Sequence, residues 1–394
     1  MPVSVRKYDL VVLGATGYTG KLTAEHINEF LPDLVEKLKK LSPKRLPPSI
    51  EICVPMAENL NSLARKTRVI ITLLGPYAKF GTPVMEACVK NGTHYLDTTG
   101  EIYWVGQMVR RFHEDAKAAG VILLSQIGAE SGPYDLITFS AVSKLRTEAS
   151  LKTKELIVSI NESKLALSGG TLASFFNMYE SIDQKTMTAS LQPWALSPIS
   201  GRKAPNAANT FGLRRDKTLG LLSASSPTER QDRALVHRSW ALLDAGNLYG
   251  KNFFYNEYQK AGGVVGGVVA KIGTKLVGAS LSSAILRNLI GKFSPAPGEG
   301  LDPKEEKNFN IEIFAVAVAD EVGPSETRAL SKLRYAGGTY HITAALLAQG
   351  AATILYESGL VERVGGGLLT PAVIGQPYIE RLRGVGLSID TVLL

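Results

Sequence analysis

Residues 14–20 read Gly-Ala-Thr-Gly-Tyr-Thr-Gly, directly after the apolar run YDLVVL at 8–13 and before a helix-like stretch at 21–30. In such a loop the first glycine permits a tight turn, the second lets the backbone approach a pyrophosphate, and the third lets the helix pack on the strand. The N–H groups at the helix start then face the anion. The sequence therefore predicts a Rossmann-type dinucleotide-binding turn, with a glycine turn that binds no ligand as the alternative. The residues expected to bind the dinucleotide here are Gly14, Thr16, Gly17, Tyr18, Thr19 and Gly20.

A second loop supports the same site. Gly75, Pro76 and Tyr77 follow the strand-like residues 69–73. Loops at the carboxyl ends of parallel strands line the cofactor crevice in doubly wound sheets. We expect these three residues to contact the dinucleotide, although an ordinary strand-to-helix loop has the same composition.

The first third of the chain alternates between strand-like and helix-like stretches. This alternation is typical of an α/β fold with a parallel sheet that is covered by helices on both faces. We assign residues 1–135 to a Rossmann-type dinucleotide-binding domain. Strands are predicted at 50–54, 69–73, 94–97 and 121–125, and helices at 56–65, 83–91 and 102–119.

Beyond residue 135 the pattern changes. A helix is predicted at 136–145, and alternating strands at 155–163 and 308–320 indicate a half-exposed antiparallel sheet. We assign residues 136–338 to an inserted α+β substrate and dimerisation domain, in which 192–228 is expected to form loops.

The remaining residues, 339–394, are assigned to a helical C-terminal segment that returns to the first domain. An amphipathic helix is predicted at 339–356 and a closing helix at 377–384.

Residues 261–293 are unusually rich in Gly, Val, Ala and Leu, and carry three lysines and one arginine as their only charges. Their longest uncharged stretch, 276–286, is too short to span a bilayer, which takes about 20 apolar residues. Two interpretations stay open. The segment forms a basic, apolar surface that lies on a membrane or lipid droplet, or a helical hairpin that covers the substrate domain or makes a dimer contact.

The composition is that of an ordinary globular protein, with 394 residues, 45% hydrophobic and 20% charged, and a net charge of +8 at pH 7. The positive charge favours an anionic partner, but no nucleic-acid-binding module is recognisable, so nucleic acid is not expected. Cys53 and Cys88 lie far apart in apolar surroundings, which indicates a reducing compartment. Without a signal-peptide pattern we expect a cytoplasmic protein. The five histidines show no metal-ligand spacing, and no metal is expected.

Four motifs occur in order: the glycine loop, Gly75-Pro76-Tyr77, HYLDTTGE at 94–101, and SGGT at 168–171. With these motifs the chain resembles the saccharopine dehydrogenase-like oxidoreductases. It is most similar to their fungal and bacterial branch, which includes trans-acting enoyl reductases, and whose animal relatives associate with lipid droplets. PAPGEG at 295–300 and LTPA at 369–372 resemble later motifs of the family. The resemblance implies a Rossmann domain, an inserted α+β domain and NADP as the cofactor, and the fold suggests a homodimer.

Two stretches depart from the pattern of this family. The second Rossmann strand, which ends at the residue that meets the adenosine ribose or its 2′-phosphate, is missing between residues 22 and 48, where the sequence is helix-like. The adenosine half of the site is therefore an open question, and an incomplete gene model would give the same pattern. The stretch expected to face the nicotinamide reads GAESGPYD at 128–135, with Glu130 in place of an aspartate.

The predicted chemistry is hydride transfer between a nicotinamide and an activated double bond of a lipid-like or polyketide acyl substrate. Glu130 and Tyr134 are the candidate proton donors, with Tyr77 as a further possibility. Ser168 and Thr171 are expected to donate hydrogen bonds to a substrate carbonyl oxygen. The alternative, raised by the missing strand, is a relative without redox activity that acts as a cofactor-free cyclase or isomerase, or as a lipid-surface protein.

Two carboxylates, Asp97 and Glu101, lie four residues apart at a strand end. Either has the chemistry of a base, but capping of the following helix explains them better.

Overall fold

The computed structural model describes residues 6–31, 52–162, 168–202, 207–296, 298–323 and 326–394. The predicted strand at 50–54 begins outside these residues, and 52–54 are not in a strand. Most of the helix-like stretch that raises the question of the second Rossmann strand also lies outside them.

The described residues contain both strands and helices in alternation. The strands are β1 Tyr8–Leu13, β2 Thr67–Thr72, β3 His94–Asp97, β4 Ile122–Leu124, β5 Thr153–Glu162, β6 Leu213–Asp216, β7 Gly220–Ser223, β8 Tyr255–Lys260, β9 Asn310–Ala319, β10 Arg328–Ala336, β11 Gly367–Leu369 and β12 Ser388–Leu393. The helices are α1 Tyr18–Phe30, α2 Ala57–Lys66, α3 Tyr77–Asn91, α4 Ile102–Ala118, α5 Gly132–Glu148, α6 Gly169–Ser181, α7 Gln184–Ser190, α8 Glu229–Leu242, α9 Val264–Ser282, α10 Ala284–Lys292, α11 Pro303–Glu306, α12 Thr339–Tyr356, α13 Leu360–Val364, α14 Pro371–Ile374 and α15 Gln376–Arg383.

The first sheet, sheet A, is parallel throughout and has the order β1-β2-β3-β4-β11. Helices cover both of its faces, so successive strand residues are apolar on both sides. Ile70 and Tyr95 belong to the core beneath α3 and α4, whereas their neighbours Ile71 and Leu96 belong to the core that contains α12. Within the described residues β1 has a strand neighbour on one side only.

Helix α12 has the predicted bounds, but its predicted amphipathic character is wrong. Its residues from Thr339 to Leu355 are buried with a single exception, His341. The reason is that α1 and α15 pack against it on the sides that do not face sheet A.

The second sheet, sheet B, is mixed and has the order β12-β10-β9-β5-β8-β7-β6. All neighbouring pairs are antiparallel except β5 and β8, which agrees with the predicted antiparallel arrangement. Helix α5 packs on β9, β10 and β12. One continuous apolar core joins this side of sheet B to sheet A. The predicted fold class, a Rossmann-type sheet combined with an α+β unit, is confirmed.

Two details of the predicted organisation need correction. Residues 192–228, expected to form loops, contain the hairpin of β6 and β7. The C-terminal segment is not only helical, because β11 joins sheet A and β12 joins sheet B. It therefore returns to both sheets. The domain limits at residues 135 and 338 stay a proposal.

The segment 261–293 forms α9 and α10, which lie on the surface. Val265 is 77% exposed, Ile285 81% and Phe293 85%. The prediction concerned the uncharged stretch 276–286 alone, whereas the 19-residue helix α9 continues through Lys271 and Lys275. In the part of the chain that the structure describes, α9 is the one helix long and apolar enough to cross a membrane by length and composition, and 6% of that helix window is buried.

Candidate functional site

A cavity of about 460 Å³ opens at the carboxyl ends of the sheet A strands. It brings the glycine loop, the loop after β2, the start of α5 and the start of α6 around one space. Of the residues predicted to act there, the lining includes Gly14, Thr16, Gly17, Tyr18, Thr19, Gly20, Gly75, Tyr77, Glu130, Ser168 and Thr171. Pro76 and Tyr134 are not in the lining. Pro76 instead precedes α3 as its N-cap, and Tyr134 is 6% exposed inside the core.

The glycine loop has no room for side chains at its two ends. Gly14 has φ +83°, a conformation that favours glycine, and a Cβ there would lie 3.2 Å from the backbone of Leu73. A Cβ on Gly20 would lie 2.1 Å from the Gly14 carbonyl oxygen. The Gly17 N–H donates to that same oxygen at 3.0 Å, and α1 starts at the next residue without a side-chain cap. This geometry is a backbone cradle at a helix N-terminus, which suits a phosphate.

Asp97 and Glu101 have structural roles. Asp97 accepts hydrogen bonds from the Thr99 and Gln126 N–H groups at 3.0 Å each, and from the hydroxyls of Tyr95 and Ser125 at 2.8 Å. Burial raises its pKa even so. These bonds hold the ends of β3 and β4 together.

Glu101 caps a helix, but not the one the sequence predicts. Its two carboxylate oxygens accept from the Tyr77 N–H at 2.7 Å and the Ala78 N–H at 3.0 Å, which are the first residues of α3. The expected capping of the following helix, α4, is therefore wrong. The carboxylate fixes the Gly75–Tyr77 loop against the cavity instead.

Gln126 is a residue that sequence reasoning missed. It follows β4, lines the cavity, has φ +61° and is 1% exposed. Neither its Nε2 nor its Oε1 has a hydrogen-bond partner in the described residues. A buried, unpartnered amide is costly unless a ligand completes it. Its donor and acceptor complement a carboxamide such as that of nicotinamide, so the residues present here fit a nicotinamide dinucleotide.

The start of α6 contributes a chain of hydroxyls to the cavity. Ser168 caps this helix by accepting from the Thr171 N–H at 3.3 Å. The Thr171 Oγ1 lies 3.2 Å from the Ser168 Oγ and 2.8 Å from the hydroxyl of Tyr340, which itself accepts from the Ser168 N–H. Tyr340, on α12, was missed because no motif marks it. Burial is the largest cause that raises its pKa, which keeps its proton in place.

Glu130 also lines the cavity, before α5. Burial raises the pKa of its carboxyl, which favours the protonated form that a proton donor needs. Behind Glu130 lie two buried acids that the sequence did not indicate, Asp232 on α8 and Glu257 on β8. In the described residues no group of three or more His, Cys, Asp or Glu side chains is arranged to hold a metal ion.

A parallel sheet with a glycine cradle at the carboxyl ends of its strands defines a dinucleotide-binding protein of the Rossmann class. Comparison with known proteins places it more closely. Residues 10–124 match the family model of the saccharopine dehydrogenase NADP binding domain. The predicted resemblance to the saccharopine dehydrogenase-like oxidoreductases is thereby confirmed, and so is NADP as the cofactor. The chain is an NADP-dependent oxidoreductase that is similar to this family.

Full-length relatives and a solved structure agree with this placement. A trans-acting enoyl reductase of Mycobacterium tuberculosis is 26% identical over 430 residues, and one of Mycobacterium ulcerans is 24% identical over 428 residues; both alignments cover 100% of each chain. The apo histidine-tagged saccharopine dehydrogenase (L-Glu forming) of Saccharomyces cerevisiae matches with a TM-score of 0.54 at 13% identity, over 98% of this chain and 99% of that one. The last likeness shows the fold alone.

Proposed function

We propose that this oxidoreductase reduces the activated C=C bond of an enoyl thioester on a lipid-like or polyketide acyl substrate, with NADPH as the hydride donor. The observation that carries the proposal is that one cavity joins the glycine cradle to an acid, Glu130, and to the hydroxyl chain of α6. The names of the trans-acting enoyl reductases support the reaction type.

When bound, NADPH would supply a hydride to the β-carbon of the double bond, and the protein must then stabilise the enolate oxygen and protonate the α-carbon. Ser168, Thr171 and Tyr340 have three hydroxyl protons for the two contacts among them. One proton is left to donate to a carbonyl oxygen. Donors of this kind act most strongly where the charge develops in the transition state.

This chain's own residues would hold the cofactor. Gln126 would complete its hydrogen bonds with the nicotinamide carboxamide, and Thr16 and Thr19 would add hydroxyls beside the glycine cradle. Leu73, Leu74, Phe175 and Met178 give the cavity an apolar side that suits an acyl chain. The cofactor-free alternative has no comparable support, because the cradle is open and its family model is an NADP-binding domain.

The test is turnover of a small enoyl thioester, the N-acetylcysteamine thioester of crotonic acid, followed by the loss of NADPH absorbance and by mass analysis of the product. Thr171→Val should lower kcat by about 100-fold with little change in NADPH affinity, as removal of one oxyanion donor does. Thr188→Val, a change of an exposed helix threonine, is the matched control. If the wild-type reaction forms no saturated product, the proposed reaction is contradicted. If Thr171→Val keeps full activity, the proposed role of Thr171 is contradicted.

We further propose that the protein is cytoplasmic and touches a membrane through α9 and α10. Between residues 264 and 293 there is no acid, and the exposed apolar side chains alternate with Lys271, Lys275 and Lys292. Basic residues near an anionic bilayer contribute about 1 kcal/mol each.

Helix α10 also packs near α6, which lines the cavity: the Arg287 guanidinium lies over the Tyr179 ring. A lipid-like substrate would then reach the site from the membrane side.

Vesicle sedimentation tests this contact. We expect the protein to bind phosphatidylglycerol vesicles and to bind phosphatidylcholine vesicles more weakly. Val265→Asp should bind neither. If the protein forms a stable homodimer that buries α9 and does not bind vesicles, the segment makes a dimer contact and not a membrane contact.

A further inference from the structure

Asp232 and Glu257 form a buried pair that the proposed reaction has not used. Asp232 is 0% exposed and Glu257 is 2% exposed. Their carboxyl groups lie within hydrogen-bonding reach of each other. The Ser226 and Tyr255 hydroxyls donate to Glu257. Two carboxyls this close cannot both be ionised without a large cost, so the pair has a proton to share.

Acids and hydroxyl groups lie closest to the pair. Glu130 and the hydroxyls of Ser131 and Thr228 lie beside Asp232, yet neither of its oxygens accepts a well-aligned hydrogen bond in the described residues. Glu229 faces Glu257 from α8, but it is paired with Arg233 at 2.5 Å. Burial raises the pKa of Glu257 to about 7 and raises that of Asp232 as well.

The pair lies between two cavities. Ser131 lines the site cavity, and its Oγ accepts a hydrogen bond from Gln231 Nε2 at 2.9 Å. Ser226 and Glu257 line a second cavity, of about 840 Å³, together with Arg230, Trp194 and Phe254. Ser131, Asp232, Glu257 and Ser226 therefore lie in sequence between the site and this second cavity, and each is close to the next.

We propose that Asp232 and Glu257 are a proton store for the reduction, which feeds the site through Ser131 and is refilled from the second cavity through Ser226. This inference rests on the proposed function. In the step, bound NADPH would supply the hydride for the new C–H bond at the β-carbon and would become NADP⁺. The α-carbon takes the Glu130 proton, Glu130 takes the Ser131 proton, and Ser131 takes the shared proton from Asp232. The pair, left with one more negative charge, then takes a proton from water in the second cavity.

The store has a signature that needs no substrate. Infrared spectra at pH 7 should contain a carbonyl band of a protonated buried carboxyl that disappears in Asp232→Asn and in Glu257→Gln, but persists in Glu362→Gln, a change of an exposed acid. If both variants keep the wild-type band, the pair holds no proton and the proposal fails, whether or not the protein is a reductase.

Turnover of the crotonyl thioester tests the relay itself. The wild-type rate should be steady at acid pH and fall as the pH rises above about 7, because the pair then loses its proton. Asp232→Asn should lower kcat by about 100-fold and remove this fall, with NADPH affinity within about twofold of wild type. An active wild type together with an equally active Asp232→Asn, with the same pH profile, would overturn the relay and leave the reductase proposal standing.

Discussion

The two walls of the site cavity are built in different ways. The glycine-loop wall consists of backbone, and its shape follows from positions such as Gly14 and Gly20 where a Cβ does not fit. Another part of the lining carries titratable side chains, among them the half-buried Glu130, with the buried Asp232 close behind it. The difference separates two tasks. The first wall can bind an anion without changing its charge, and the second can exchange protons without binding the dinucleotide phosphates.

A second contrast lies between two buried aspartates. Asp97 and Asp232 are each 0% exposed. Asp97 accepts hydrogen bonds from two N–H groups and two hydroxyls, whereas Asp232 has no well-aligned donor in the described residues. A satisfied buried charge stabilises the fold, and an unsatisfied one costs stability and is retained for another reason. We therefore expect opposite effects when each is removed.

The largest effect is expected at Asp97. Asp97→Ala leaves four buried donors without an acceptor, so the free energy of unfolding should fall by about 4 kcal/mol. Urea denaturation followed by circular dichroism measures it, with Asp97→Asn as a milder change that retains one acceptor oxygen. A loss below about 1 kcal/mol would mean that the Asp97 bonds do not hold β3 and β4 together.

A slightly smaller effect is expected at the backbone wall. In Gly20→Ala the new Cβ meets the Gly14 oxygen, so the loop must open. The Kd for NADPH should rise by about 100-fold, or about 2.7 kcal/mol. Gly266→Ala is the matched control, because a Cβ there meets nothing within 4 Å. Equal binding by wild type and Gly20→Ala, measured by fluorescence, would show that the cofactor does not use this cradle.

The smallest effect is expected at Asp232, and its sign depends on pH. Because burial raises the folded-state pKa of Asp232, its contribution to stability is full below the unfolded pKa and is lost as the pH rises through the folded value. The stability of Asp232→Asn relative to the wild type should thus rise by at least about 1 kcal/mol between pH 5 and pH 8. Thermal unfolding at the two pH values measures this, with Glu362→Gln as the pH-independent control. A variant less stable than wild type at pH 8 would show that Asp232 is structural.

The two walls also differ in how well the sequence predicted them. The glycine wall was predicted residue by residue, because tight turns demand glycine at fixed local spacing. The strand–helix alternation of sheet A was predicted for the same local reason. Thr171 and Glu130 were placed in the site by family motifs, and the structure brings both to the cavity.

What the sequence did not predict depends on contacts between distant residues. Tyr340 reaches Ser168 across 172 residues. The Asp232–Glu257 pair joins a helix to a strand, and neither residue sits in a motif. The role of Glu101 also depends on a distant contact. Its carboxylate caps the preceding helix, α3, and not the following helix, α4, as the sequence predicted. The burial of α12 on all sides follows from α1 and α15, which a single-helix pattern cannot include.

Calorimetric titration of the wild-type protein with NADPH and NADH tests the central claim most directly, namely that the cavity at the ends of sheet A is an NADP site. We expect one saturable site for NADPH with a Kd in the range of about 1 µM to 1 mM, where the KM values of enzymes usually lie, and weaker binding of NADH. No heat of binding for either dinucleotide up to millimolar concentration would contradict the account.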